Sequence, residues 1–95
     1  MTTIDFNLEW KLKLQNRFIT YAKIYSTSDP ESETTPSTER QWNIANYIFE
    51  ELNALGLSDV SIDENGYIYA YLPSNLEQDD EPTVGFIAHY DTSPD

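Results

Sequence analysis

The chain has 95 residues and a formal net charge of −12, with 17 acidic residues against five lysines and arginines. A chain of this length forms one domain at most, and its acidic charge repels phosphate backbones and anionic lipid headgroups. We therefore expect neither nucleic acid nor a membrane as a partner. Because the sequence has no cysteine, a metal site would need histidine, aspartate and glutamate. The chain shows no bilayer-length apolar run and no signal peptide, which predicts a cytoplasmic protein.

The first predicted element is an amphipathic helix over residues 7–25. Apolar side chains recur there every three or four residues, as expected of a helix that packs one face on a core. That face consists of Trp10, Leu14, Phe18, Tyr21, Ala22 and Tyr25. Residues 26–38 follow as a polar surface loop, which is longer than most connections and is either functional or flexible.

A second helix is predicted from Thr38, because Thr38 and Gln41 match the Thr-x-x-Gln pattern of a capping box. Gly56 should end this helix, since glycine readily adopts the left-handed conformation that closes a helix. The apolar face between these ends consists of Ala45, Ile48, Phe49, Leu52 and Leu55.

An Asn-Gly dipeptide at position 65 lies between two β-rich runs and predicts an antiparallel hairpin. A two-residue turn at this dipeptide sets two cross-strand pairs, Ile62 with Tyr69 and Val60 with Tyr71.

Residues 74–82 are rich in acids and predict a solvated loop. Residues 83–88 are apolar without polar alternation, which is typical of a strand buried on both faces. The order of helix, helix, hairpin and buried strand predicts an α/β fold, with the two helices packed on a mixed sheet.

His89 is the only histidine of the chain and directly follows the predicted buried strand. Ligands of open α/β sheets bind beyond the carboxyl ends of strands. Residues i and i+2 of an extended segment point to the same side, so Asp91 can bond one imidazole nitrogen while the other faces a ligand. This arrangement suits a metal site, although a strand-end histidine paired with an aspartate has the same spacing. A nucleophilic triad is disfavoured, because Ser93 lies in the same turn without an elbow motif.

The segment from His89, His-Tyr-Asp-Thr-Ser-Pro-Asp, resembles the His-x-Asp-Thr-x-x-Asp motif of the peptidase T family, the tripeptide aminopeptidase branch of the dinuclear zinc exopeptidases. Further pieces of the resemblance precede it in order and extend it over nearly the full chain. They are Arg17-Phe18, Tyr21-Ala22-Lys23-Ile24, Pro36-Ser37-Thr38 with Gln41, Glu50-Glu51-Leu52, Leu55-Gly56-Leu57 and Asp63-Glu64-Asn65-Gly66-Tyr67.

The resemblance implies that His89 is a zinc ligand and that Asp91 is the catalytic residue that orients it. It also implies two zinc ions in the complete enzyme and small peptides, tripeptides above all, as substrates. The family's other ligands and its general base lie beyond position 95. Residues 1–95 are therefore expected to be the N-terminal portion of a catalytic domain, inactive alone and weak in binding zinc.

Two departures from the family leave substrate preference open. Glu39-Arg40 stands where Pro-Gly is common, and Tyr90 replaces a small apolar residue between the histidine and the aspartate. The alternative functions are a related zinc carboxypeptidase, dipeptidase or deacetylase, or a non-catalytic acidic module that binds a basic protein. The sequence does not predict an oligomeric state.

Overall fold

The computed structural model describes residues 8–77 and 80–94. Its elements are helix α1 (Leu8–Lys23), helix α2 (Gln41–Ala54), strand β1 (Ser58–Ile62) and strand β2 (Ile68–Tyr71). The predicted helices, hairpin and α/β class are confirmed. Residue 7 of the predicted first helix, residues 78 and 79 of the acidic loop and Asp95 of the motif lie outside the described residues.

Helix α2 packs on the hairpin and carries the buried apolar side chains, Ile44 at 3% exposure and Ala45 at 0%. It begins at Gln41, two residues later than a helix capped by Thr38 would, and Arg40 at the capping position makes no side-chain cap bond. The Thr38 hydroxyl bonds the carbonyl oxygen of Thr27 at 3.1 Å. Half of the predicted capping box forms, since Gln41 Oε1 accepts the backbone N–H of Thr38 at 3.2 Å.

The C-terminal end of α2 is the one predicted. Gly56 has φ of +83°, and its N–H donates to the carbonyl oxygen of Asn53 at 3.0 Å. The N–H of Leu57 donates to the carbonyl oxygen of Leu52 at 3.4 Å. This pair of bonds defines a Schellman motif, which satisfies carbonyl groups that the helix leaves open.

Helix α1 has no buried residue, so its predicted core face is wrong for the described part of the chain. Phe18, in the middle of that face, is 72% exposed. The helix is held to α2 through Glu51, whose carboxylate accepts bonds from Arg17 Nε at 3.2 Å and from the Tyr21 hydroxyl. Tyr21 also meets Tyr47 edge to face at 6.0 Å. An apolar stripe is buried only where another surface packs against it. Helix α1 instead contacts α2 through polar groups at one side.

The hairpin forms with a register that differs by one residue from the prediction. Ile62 pairs with Ile68 and Ser61 with Tyr69, so the two isoleucines share a face. The turn has three residues, because the Asp63 carboxylate accepts the N–H groups of Asn65 and Tyr67, each at 2.9 Å. Only Gly66 takes a positive φ there, +81°, as in a type I turn followed by a glycine bulge.

Toward the other end of the hairpin, the register shifts again between Ser58 and Ser61. Asp59 lies in this interval with φ of +51°, the mark of a β-bulge that adds one residue to the first strand. Tyr71 consequently pairs with Ser58 instead of the predicted Val60.

The predicted buried strand over residues 83–88 is wrong. These residues form no strand, and Phe86 and Ile87 are 95% and 101% exposed. The sheet built by the described residues is two-stranded and antiparallel, which also corrects the predicted mixed sheet. An apolar run becomes a buried strand only when neighbouring strands and helices cover it, and the described residues supply no such neighbours.

Candidate functional site

The site predicted from the sequence lies in the extended segment that follows residues 83–88. His89 Nδ1 lies 2.9 Å from Asp91 Oδ1 and 3.1 Å from the Asp91 carbonyl oxygen. The two predicted site residues are therefore in contact, as predicted from their i, i+2 spacing. The imidazole side chain is 86% exposed and the carboxylate 37%.

The contact determines what the imidazole can do. A carboxylate at Nδ1 favours the tautomer with the proton on that nitrogen, which leaves a lone pair on Nε2. None of the described residues bonds Nε2 of His89. The arrangement leaves the Nε2 lone pair of His89 facing solvent, with the Asp91 carboxylate at the other ring nitrogen.

A parallel bridge to the loop of residues 26–38 holds one end of the segment. The N–H of Ser28 donates to the carbonyl oxygen of Thr92 at 2.9 Å. The N–H of Thr92 donates to the carbonyl oxygen of Ser26 at 3.2 Å. Gln41 Nε2 of α2 donates to the same Ser26 oxygen at 3.1 Å. The loop is thus the link between α2 and the site, a role that the sequence left open.

Tyr90 holds the segment from the other side. Its hydroxyl donates to the carbonyl oxygen of Gly66 in the hairpin turn at 3.0 Å. Burial raises the pKa of Tyr90 above its usual value of 10.0, and the negative charges of Asp91 and Asp63 raise it further. The phenol therefore stays protonated and able to donate at neutral pH.

The segment borders an open cleft of about 1300 Å³ between the helices and the hairpin. One wall is apolar and consists of Phe18, Ile44, Ile48, Leu52 and Ile68. The other wall is formed by residues 86–92, which include both His89 and Asp91. The polar pair and these apolar side chains thus line one common cleft.

The donor groups present fit one position of a metal site. Within residues 8–77 and 80–94, no group of three or more histidine, aspartate and glutamate side chains could hold an ion. A catalytic zinc site uses about three protein ligands. His89 can supply one of them, and Asp91 can orient it.

Two contacts of the site were missed from the sequence, those of Tyr90 with Gly66 and of Thr92 with Thr27. Tyr90 was noted as a departure from the family motif, but no spacing rule connects residues 24 positions apart. The side-chain alternation of the extended segment was a partial signal, because it places residue 90 opposite 89 and 91.

Comparison with known proteins identifies the class. The chain is 49% identical over 85 residues to peptidase T of Geobacillus thermodenitrificans, a match of 90% of this chain and 20% of that protein. It is 55% identical over 82 residues to peptidase T of Aliivibrio fischeri and 53% identical over 85 residues to that of Bacillus licheniformis, in each case across 20% of the relative. No family model matches the chain.

The relatives are named as peptidases. More narrowly, the chain is a homologue of peptidase T over most of its length, which confirms the resemblance seen in the sequence. It spans about a fifth of the length of the curated relatives it matches. No helix within the described ranges is long and apolar enough to cross a membrane.

Proposed function

We propose that this chain provides one part of the active site of a cytoplasmic zinc aminopeptidase that releases the N-terminal residue of tripeptides. In this proposal His89 is a metal ligand and Asp91 is the catalytic residue that orients it. The observation that carries the proposal is the 2.9 Å contact between His89 Nδ1 and Asp91 Oδ1, within a chain about half identical to peptidase T. Residues 1–95 would form the N-terminal portion of the catalytic domain.

Each residue has a separate task. Asp91 accepts a hydrogen bond from Nδ1–H, fixes the tautomer and directs Nε2 outward. Zinc in such a site polarises a substrate carbonyl group and increases the acidity of water. Two ions would be held in the complete enzyme, with His89 contributing to the binding of one.

The chain alone should bind zinc weakly and hydrolyse no tripeptide, because its described residues bring only one identified ligand to the site. Isothermal titration with zinc and a tripeptide hydrolysis assay on the purified chain test this point. Measurable hydrolysis that disappears in His89→Ala would overturn it.

A chimera tests the proposal directly. The matched segment of the Geobacillus thermodenitrificans peptidase T would be replaced by the corresponding residues of this chain, which is 49% identical to it. We expect the chimera to hydrolyse tripeptides and its His89→Ala variant to lose most of this activity. Asp91→Ala should lower the activity by about tenfold to 100-fold, as is typical when the partner of a metal ligand is removed.

Ser93→Ala is the matched control, because Ser93 lies in the same segment and is exposed. Zinc content, measured by mass spectrometry, should fall in His89→Ala and stay unchanged in the control. Near-normal turnover and zinc content in both site variants would refute the assignment.

A further inference from the structure

The contact between His89 and Asp91 has little support of its own. The imidazole is largely exposed, and residues 80–89 are exposed throughout. An exposed pair of this kind contributes little to its own geometry, since two mobile side chains must be held together against solvent. Something else must fix the backbone between the two residues.

Tyr90 is the residue between them. Its side chain contacts the hairpin turn, whereas the side chains of His89 and Asp91 contact each other. Its hydroxyl reaches the carbonyl oxygen of Gly66 at 3.0 Å, so one side chain joins the site segment to the hairpin turn. Residues 80–88 make no backbone hydrogen bond to any other described residue.

Gly66 is shaped for this contact. It is buried, and a Cβ atom placed on it would lie 2.7 Å from Tyr90 Oη and 2.9 Å from Pro36 Cγ. Both distances are too short for real contacts, so the absence of a side chain at Gly66 is what lets the tyrosine approach the turn. Gly66 therefore has two roles: it adopts the positive φ that the turn requires, and it leaves room for the Tyr90 hydroxyl.

We propose that Tyr90 is a positioning residue, which holds His89 and Asp91 in contact by fastening the backbone between them to the hairpin turn. The hydroxyl acts on one side of the segment and the bridge of Thr92 to Thr27 acts beyond it. The metal-binding consequence of this inference rests on the proposed function, whereas the effect on the imidazole does not.

The test is nuclear magnetic resonance of the 95-residue chain, with His89 labelled at both ring nitrogens and observed at a pH where the ring is neutral. In the natural chain we expect the Nδ1–H tautomer to dominate. Tyr90→Phe removes one oxygen atom and should shift the tautomer ratio several-fold toward Nε2–H. Zinc affinity, measured by titration, should fall roughly tenfold, in the range seen when partners of metal ligands are removed.

Tyr71→Phe is the matched control, because Tyr71 is half exposed and its hydroxyl has no partner among the described residues. It should leave both the tautomer and the zinc affinity unchanged. Backbone amide spectra distinguish the two roles, since a merely structural residue would move signals across the fold without a selective change at His89. An unchanged tautomer ratio in a folded Tyr90→Phe chain would overturn the inference.

A second measurement applies even where the variant does not fold. In the natural chain, the ring protons of Tyr90 should show nuclear Overhauser contacts to Gly66 and Pro36, and their absence also overturns the inference. A tautomer that depends on Tyr90, together with zinc affinity that is unaffected by His89→Ala, would refute the proposed function and leave the positioning role standing. The reverse pattern would refute the positioning role alone.

Discussion

Two regions of this chain contain apolar residues and reach order in different ways. The body, which consists of α2 and the hairpin, buries Ile44 and Ala45 and ends its helix with a Schellman motif. The site segment, residues 80–94, leaves Phe86 and Ile87 in solvent and is attached through Tyr90 and Thr92. Local signals such as caps and turns are enough to build the first region. The second is placed by two specific contacts, and its apolar run remains uncovered.

The joint between the two regions is the place where one substitution should affect both. Gly66→Ala forces a side chain into the left-handed region, at about 1–2 kcal/mol, and against Tyr90 and Pro36, at about 1–3 kcal/mol. We expect the free energy of unfolding in urea to fall by about 2–5 kcal/mol, the sum of these two costs.

Two other glycines separate the components of that loss. Gly56 has a positive φ but open space around it. Gly56→Ala should therefore lose only the cost of the left-handed conformation, about 1–2 kcal/mol. Gly85→Ala has neither feature and should be neutral. Equal losses at positions 66 and 56 would contradict the close approach of Tyr90 to the turn.

Truncation of apolar side chains should divide the two regions most clearly. Ile44→Ala, in the body, should cost about 2 kcal/mol, near the lower end for core deletions because so small a core can collapse around the gap. Phe86→Ala, in the site segment, should change the free energy of unfolding by no more than about 0.5 kcal/mol. A cost at Phe86 as large as that at Ile44 would show that the segment is covered in solution.

The uncovered run should make the chain associate with itself. Exposed apolar side chains on an extended segment with unpaired backbone groups are prone to edge-to-edge pairing. Sedimentation of the natural chain should show association at high concentration, and the double variant Phe86→Ser, Ile87→Ser should abolish it. Leu72→Ser is the control, since Leu72 is also largely exposed, at 78%, but lies outside the segment. A monodisperse natural chain with amide protection over residues 84–88 would contradict this expectation.

The smallest expected effect concerns the contact of α1 with the body at high pH. Burial raises the pKa of Tyr21 to about 12 from 10.0, and its hydrogen bond to Glu51 and the carboxylate charge act in the same direction. Because the pKa is higher in the folded chain, the stabilisation is complete below pH 10 and is lost as the pH rises through about 12. Spectrophotometric titration should show late phenolate components from Tyr21 and Tyr90. Tyr21→Phe should remove one of them, and Tyr71→Phe should retain both.

The parts of the fold that could be predicted are those encoded within a few residues. Gly56 with Leu57 defined the end of α2, and the Asn-Gly dipeptide defined the hairpin. The register was wrong because Asp63 stabilises a three-residue turn and Asp59 inserts a bulge, and each shifts the pairing by one residue. The contact of His89 with Asp91 could be predicted because the two residues lie only two positions apart.

The parts that could not be predicted depend on distant residues. The apolar run over 83–88 predicts a buried strand only on the assumption that something covers it. The predicted core face of α1 rested on the same assumption, whereas the contact that α1 makes with Glu51 is polar. The contact of Tyr90 with Gly66 joins residues that no periodicity relates.

The bridge between Thr27 and Thr92 also has a consequence for the order of folding. It joins residues 65 positions apart, whereas the hairpin turn closes across Asp63 and Tyr67. The entropy lost on closing a loop grows with its length, so short-range contacts are gained first and the longest closure comes last. The segment with His89 and Asp91 would then dock onto a hairpin and helix that have already formed, and it would be the first part to detach when the chain opens.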